Sequence, residues 1–115
     1  MARVKTGPQR RKRHKRWLKK AKGYYGVRHS EFKLAKLAVM KALKNAFRER
    51  RRKKRVWRAL WILRINAALR NYGLSYSKFM AALKRRGVEI NRKSLSEMAL
   101  RDPESFKKLV DMVKG

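Results

Sequence analysis

Residues 31–72, EFKLAKLAVMKALKNAFRERRRKKRVWRALWILRINAALRNY, run from Glu31 to Tyr72 without a glycine or a proline. Leu34, Leu37, Ala38, Val39, Ala42, Leu43, Ala46 and Phe47 recur close to helical spacing, and Trp57, Leu60, Trp61, Ile65, Ala68, Leu69 and Tyr72 resume the stripe. The pattern predicts one long helix, straight or bent, which at 1.5 Å per residue would be roughly 60 Å long. A small domain cannot cover that length. The middle of the stretch, Arg48 to Arg55, has no apolar face, so phosphates rather than a protein core are its expected support. Ser30 is the expected cap, with Glu31 in the positive first turn, and Gly73 ends the element.

Downstream, short helices follow one another. Ser75 can cap a helix carrying Phe79, Met80 and Leu83 that stops at Gly87, a natural left-handed residue after a helix end. Asn91 can cap a segment with Leu95, Met98, Ala99 and Leu100. Asp102-Pro103-Glu104 is a strong helix start, since Asp caps, Pro lacks only an N–H that would be unpaired anyway, and Glu favours the first turn. Phe106, Leu109, Val110 and Val113 form the inner face of this last helix. Trp57 and Trp61, one turn apart on the stripe, read as core or helix packing in preference to the alternative of base stacking, and Met80, Met98 and Met112 as core fillers. The fold class is therefore all-α: a basic N-terminal extension (residues 1–29), a long basic helix (30–57), and a small C-terminal helical bundle (58–115) packed on the helix end.

Upstream, charge takes over. The chain holds 36 Lys and Arg against 7 Asp and Glu in 115 residues, a net charge of +29. Residues 1–60 carry 24 basic and 2 acidic side chains, residues 61–115 carry 12 and 5, and no acid precedes Glu31. Residues 48–58 alone hold eight bases and one acid, Glu49. Self-repulsion of this size calls for a polyanion, and nucleic acid is the leading partner. Residues 1–15 lack the apolar content to bury anything and are expected to stay disordered until neutralised, with residues 16–22 forming a short helix on binding. Gly23-Tyr24-Tyr25-Gly26 reads as an elbow.

Other classes fare poorly. Without cysteine there is neither a disulfide nor a thiolate metal site, which fits a reducing compartment and cytoplasmic residence. No apolar run reaches bilayer length, and no signal-peptide segment follows the N-terminus. The carboxylates Glu89 and Glu97 have no catalytic partner, and no phosphate-binding glycine loop or nucleophile motif is present, so no enzyme is expected. Neither a cofactor, a metal nor a small-molecule substrate is expected. A DNA-compacting nucleoid protein would use the same charge, but its recognition helix should be basic, whereas residues 94–100 carry Glu97 and no base. A membrane-active cationic helix fits the amphipathic residues 31–47 but not the ordered C-terminal part.

One segment is more specific than any composition. Lys54-Arg-Val-Trp-Arg-Ala-Leu-Trp-Ile-Leu-Arg-Ile-Asn-Ala-Ala-Leu-Arg70 resembles the signature of the L-twenty family of bacterial large-subunit ribosomal proteins. In order along the chain, Met1-Ala-Arg-Val-Lys5 resembles that family's start, Ala21-Lys-Gly-Tyr-Tyr-Gly-Val-Arg28 its elbow, and Ala46-Phe-Arg-Glu-Arg-Arg51 its basic helix. Leu74-Ser-Tyr-Ser-Lys-Phe79 and Gly87-Val-Glu-Ile-Asn-Arg-Lys93 resemble its C-terminal domain. Tyr25, Val56 and Ala59 depart from the Arg, Asp and Arg usual in the family, and Ala81-Ala82 from Asn-Gly. The resemblance implies direct binding to 23S ribosomal RNA during early assembly of the large subunit, beside neighbouring ribosomal proteins. It also implies, for members in some bacteria, repression of their own messenger through the C-terminal domain.

Candidate RNA contacts follow from charge, aromatic interleaving and this resemblance. In the extension they are Arg3, Lys5, Arg10, Arg11, Lys12, Arg13, His14, Lys15, Arg16, Trp17, Lys19, Lys20 and Lys22. At the elbow they are Tyr24, Tyr25, Arg28 and His29, and on the long helix Arg48, Arg50, Arg51, Arg52, Lys53, Lys54, Arg55, Arg58, Arg64 and Asn66. The cations release counterions and fix position; Trp17, Tyr24, Tyr25 and His29, outside any strong apolar stripe, are the candidates for stacking on splayed bases. The histidines read as phosphate or base contacts rather than metal ligands.

Overall fold

A computed structural model describes residue 3 and residues 5–115. Its elements are α1 (Gly7–Lys20), a single 3-10 turn (Gly26–His29), α2 (Phe32–Arg70), α3 (Tyr76–Arg85), α4 (Arg92–Arg101) and α5 (Pro103–Lys114), with no strand among the described residues. The chain divides into two compact units, residues 1–51 and residues 52–115.

In the first unit α1 starts at Gly7, nine residues ahead of the helix expected at Arg16, and so lies across a segment expected to be disordered. The expectation for Met1, Ala2 and Val4 lies outside the described residues. Two causes extend the helix. Arg, Lys and Gln are good helix formers, and Pro8 fits the first turn, where its missing N–H costs nothing. An apolar side also exists: His14 stacks on Phe32 with ring centroids 3.7 Å apart, and Trp17 and Leu18 pack against Ala35 and Val39 of α2. The core here is small, with only Ala21, Ala35 and Val39 buried. Gly23 and Gly26 take φ of 89° and 63°, left-handed values that cost other residues a Cβ clash, and between them the chain turns as an elbow. Ser30 does not cap α2. Its hydroxyl donates to the Val27 carbonyl at 3.4 Å, and the Glu31 carbonyl instead accepts the first helical bond, from the Ala35 N–H at 2.8 Å.

In the second unit Ile65 and Leu69 of α2 meet Phe79 and Leu83 of α3, Leu95 of α4, and Phe106 and Val110 of α5 in one buried cluster. Tyr72, Met80, Met98, Leu109 and Val113 pack around it. Phe106 is the hub, with ring centroids 5.9 Å from Phe79 and 6.4 Å from Tyr72, in tilted geometry. Helix ends are secured by backbone bonds: Leu74 N–H donates to the Leu69 carbonyl and Gly73 N–H to that of Arg70, and the pattern repeats at Val88 to Leu83 and Gly87 to Lys84. Asn91 caps α4 by accepting from Ser94 N–H at 2.8 Å, and Asp102 caps α5 by accepting from Ser105 N–H at 3.1 Å. Ser75 holds the cap position of α3 without making the cap bond.

Two core assignments are corrected. Trp57 is 45% exposed and Trp61 half-buried, and neither joins the cluster, because the three short helices cover α2 only from about Ile65 onward. Met112, near the end of α5, is 38% exposed and turned away from the face that buries Phe106 and Val110.

Candidate nucleic-acid interface

Exposure of the cations follows from the scarcity of core. In α1, Arg10, Arg11, Lys12, Arg13, Lys15, Arg16, Lys19 and Lys20 are all exposed, as are Arg3, Lys5 and Lys22 beside it. No acid lies in the first turn of α1, and Lys19 and Lys20 stand favourably at its negative end. From Phe47 to Ala59 every residue of α2 is exposed, so Arg48, Arg50, Arg51, Arg52, Lys53, Lys54, Arg55 and Arg58 surround the helix on all sides. The one acid among them, Glu49, lies 3.6 Å from the Arg48 guanidinium in a solvent-exposed pair that contributes little. Arg48 also donates to Asn45 Oδ1 at 3.4 Å. Arg51 lies 4.8 Å over the Phe47 ring. Arg64 and Asn66 are half-exposed.

Aromatic candidates divide. Tyr25 is 94% exposed, with its ring free to stack. Trp17 and Tyr24 instead pack against the small core of the first unit, and the ammonium groups of Lys20 and Lys36 stand 5.5 and 5.8 Å from the centre of the Trp17 ring. His29 is held through Nδ1 at 3.1 Å from the Tyr24 carbonyl. His14, stacked on Phe32, is half-buried.

A second cluster joins residues that the sequence reading had named only separately, and adds Lys93 and Glu97, which it had not named as contacts. In the second unit Trp57 and Trp61 line an open concavity of about 670 Å³ with Lys54, Arg55, Arg58, Arg64, Lys93 and Glu97. Its signal was present, since cations flank both tryptophans in the sequence, but the apolar period assigned the indoles to the core. Among the described residues no group of three or more His, Asp or Glu is placed to hold a metal, and no helix is long and apolar enough to cross a membrane.

Fold and surface together define a small, helical, strongly cationic protein whose longest helix presents solvent-exposed charge. The sequence profile of the family described as Ribosomal protein L20 matches residues 3–109. Among relatives, the large ribosomal subunit protein bL20 of Mesoplasma florum is 58% identical over 111 residues, covering 96% of this chain and 92% of its own length. That of Finegoldia magna is 57% identical over 115 residues, covering 100% and 98%, and that of Mycoplasmoides gallisepticum 54% over 113 residues, covering 98% of each. The chain belongs to the ribosomal protein L20 family, whose members are structural components and not enzymes. With that, the DNA-compacting and membrane readings lose their ground.

Proposed function

We propose that this chain is a structural component of the large ribosomal subunit that binds 23S ribosomal RNA directly and supports early assembly of the subunit in the cytoplasm. The observation that carries the reading is the stretch of α2 from residue 47 to 59, exposed on every side and carrying eight bases. Such a surface has no use for a protein core and gains free energy by releasing counterions from phosphates. The cations of residues 1–29 work in the same way, and RNA completes the order of that extension. In the assembling subunit the chain fills space between RNA helices that repel one another, beside neighbouring ribosomal proteins.

The test is chemical footprinting of the full chain on intact large-subunit RNA, with binding measured at several salt concentrations for the chain with and without residues 1–22. Deletion should lower affinity for every RNA and flatten the fall of affinity with salt, because that slope counts neutralised phosphates. The preference for large-subunit RNA should survive. A full chain that protects no discrete site would sink the reading.

A second activity, repression of the chain's own messenger, is favoured by the second unit having its own core and its own cationic surface. A repressor must act on RNA away from the ribosome. Residues 52–115 alone should then bind the messenger leader, measured by gel shift.

A further inference from the structure

Tryptophan is the side chain with most to gain from burial, yet Trp57 is 45% exposed and Trp61 only half-buried, on a unit that buries two phenylalanines completely enough to leave 1% exposure or less. Five cations, Lys54, Arg55, Arg58, Arg64 and Lys93, line the same concavity. Elsewhere in the chain cations cover aromatic faces, over Trp17 and Phe47, whereas none of the cations lining this concavity lies over either indole. No cation covers the indoles, and charge lines the space beside them. The occupant that fits is flat and apolar on its faces and joined to negative charge, which describes a nucleobase between its phosphates. A base within a duplex keeps its faces stacked, so only an unpaired one can enter. An acidic peptide would answer the cations and leave the indoles unmatched.

Glu97 sharpens the identity of the base. It is exposed, one turn after Lys93 on α4, and makes no ion pair among the described residues. A carboxylate in such a place repels phosphate and only accepts hydrogen bonds. Guanine offers it two adjacent donors, N1–H and the exocyclic N2–H, on its pairing edge. Adenine and cytosine place a ring acceptor beside their amino group, and uracil flanks its single N–H with two carbonyls.

We propose that Trp57 and Trp61 receive one unpaired base of the bound RNA, guanine in preference, with Glu97 accepting from its pairing edge and Lys54, Arg58 and Lys93 taking the flanking phosphates. The proposal rests on the reading of this chain as an RNA-binding protein and names which RNA feature one of its surfaces recognises.

The experiment uses the full chain carrying Trp17→Phe, so that indole emission reports only Trp57 and Trp61. Its probes are RNA hairpins identical except for one loop base (G, A, C or U), the matching uninterrupted duplex, and an acidic peptide. The guanine loop should quench emission, and Trp57→Ala or Trp61→Ala should weaken its binding roughly 5- to 100-fold, the range of one lost base–aromatic stack. Duplex binding should change less than about twofold, and Trp57→Phe should retain most of the affinity. Glu97→Gln should cut the preference for guanine over adenine about tenfold, as for loss of one good paired contact, and should raise the affinity of the other loops alike by removing a charge that repels phosphate. Unchanged loop binding in both alanine variants overturns the proposal, as does equal loss for loop and duplex with helicity by circular dichroism intact, or quenching by the peptide alone. If discrete protection of large-subunit RNA persists while these results fail, only this inference falls. If the full chain shows no such protection, the reading beneath it falls first.

Discussion

The two compact units are built from the same helix and stabilised by different physics. Residues 1–51 bury two alanines and a valine, and leave Leu37, Met40, Leu43 and Phe47 more than half exposed. Residues 52–115 bury seven large apolar side chains, two of them phenylalanines. Charge follows the same division, with 19 basic and 2 acidic residues in the first unit and 17 and 5 in the second. Helix α2 takes part in both, so secondary structure alone does not reveal where stability comes from. Packing supports it in one unit; in the other, propensity and counterions must.

The sharpest way to break this contrast is to separate the units. Residues 52–115 should give a cooperative helical melt and dispersed amide resonances in RNA-free buffer. Residues 1–51 should show little helix there and gain it on adding polyphosphate or RNA, because each neutralised pair of like charges removes repulsion along α1. A fully helical first fragment in dilute salt would show that the core around Ala35 suffices.

Next in size are side-chain truncations. Phe106→Ala or Leu83→Ala should destabilise the second unit by roughly 2–5 kcal/mol, which for a domain of this size approaches its whole stability. Val39→Ala, with fewer atoms to lose, should cost about 1–2 kcal/mol at most. Urea melts of the full chain would read both. Equal losses at Phe106 and Val39 would erase the difference between the cores.

Much of this was legible in the sequence. The long helix, the starts at Asn91 and Asp102, the stop at Gly87 and the inner face of Phe106 and Val110 each follow from a local signal that tertiary packing reinforces. What escaped detection depends on where packing ends. Periodicity marked Trp57, Trp61 and Met112 as apolar-face residues, but only the reach of the short helices decides which are covered. Similarly, α1 looked too charged to fold because its support, Phe32, Ala35 and Val39, lies on another element. The cationic surface was evident from composition, whereas the meeting of Trp57 with Lys93 and Glu97 required the turn between α3 and α4. Ser30 missed its capping role because its hydroxyl had a nearer acceptor, the Val27 carbonyl.

Caps provide a finer comparison within the second unit. Asn91 makes its bond to Ser94 N–H and Ser75 does not make its own, though each holds the cap position just ahead of its helix. Asn91→Ala should therefore cost about 1 kcal/mol, and Ser75→Ala less than about 0.5 kcal/mol. Equal costs in thermal melts would mean that cap identity, and not the bond, sets the effect.

The smallest effect concerns pH. Asp102 has its carboxyl held below the ordinary value of 3.8, chiefly because the Ser105 hydroxyl donates to it at 2.5 Å, and secondarily because the Ser105 N–H does so as well. The charge of Lys108 adds to this, and slight desolvation opposes it. A depressed folded value means that the ionised form is the one folding favours. Its contribution to the second unit is thus complete above the unfolded carboxylate range and is lost as pH falls through the folded value. Carboxyl-carbon NMR should place the Asp102 midpoint below 3.8, and Ser105→Ala should raise it while leaving it below that of an unfolded peptide, since the backbone donor and Lys108 remain. An Asp102 midpoint at or above 3.8, or one unmoved by Ser105→Ala, would show that the cap bonds do not hold the charged form.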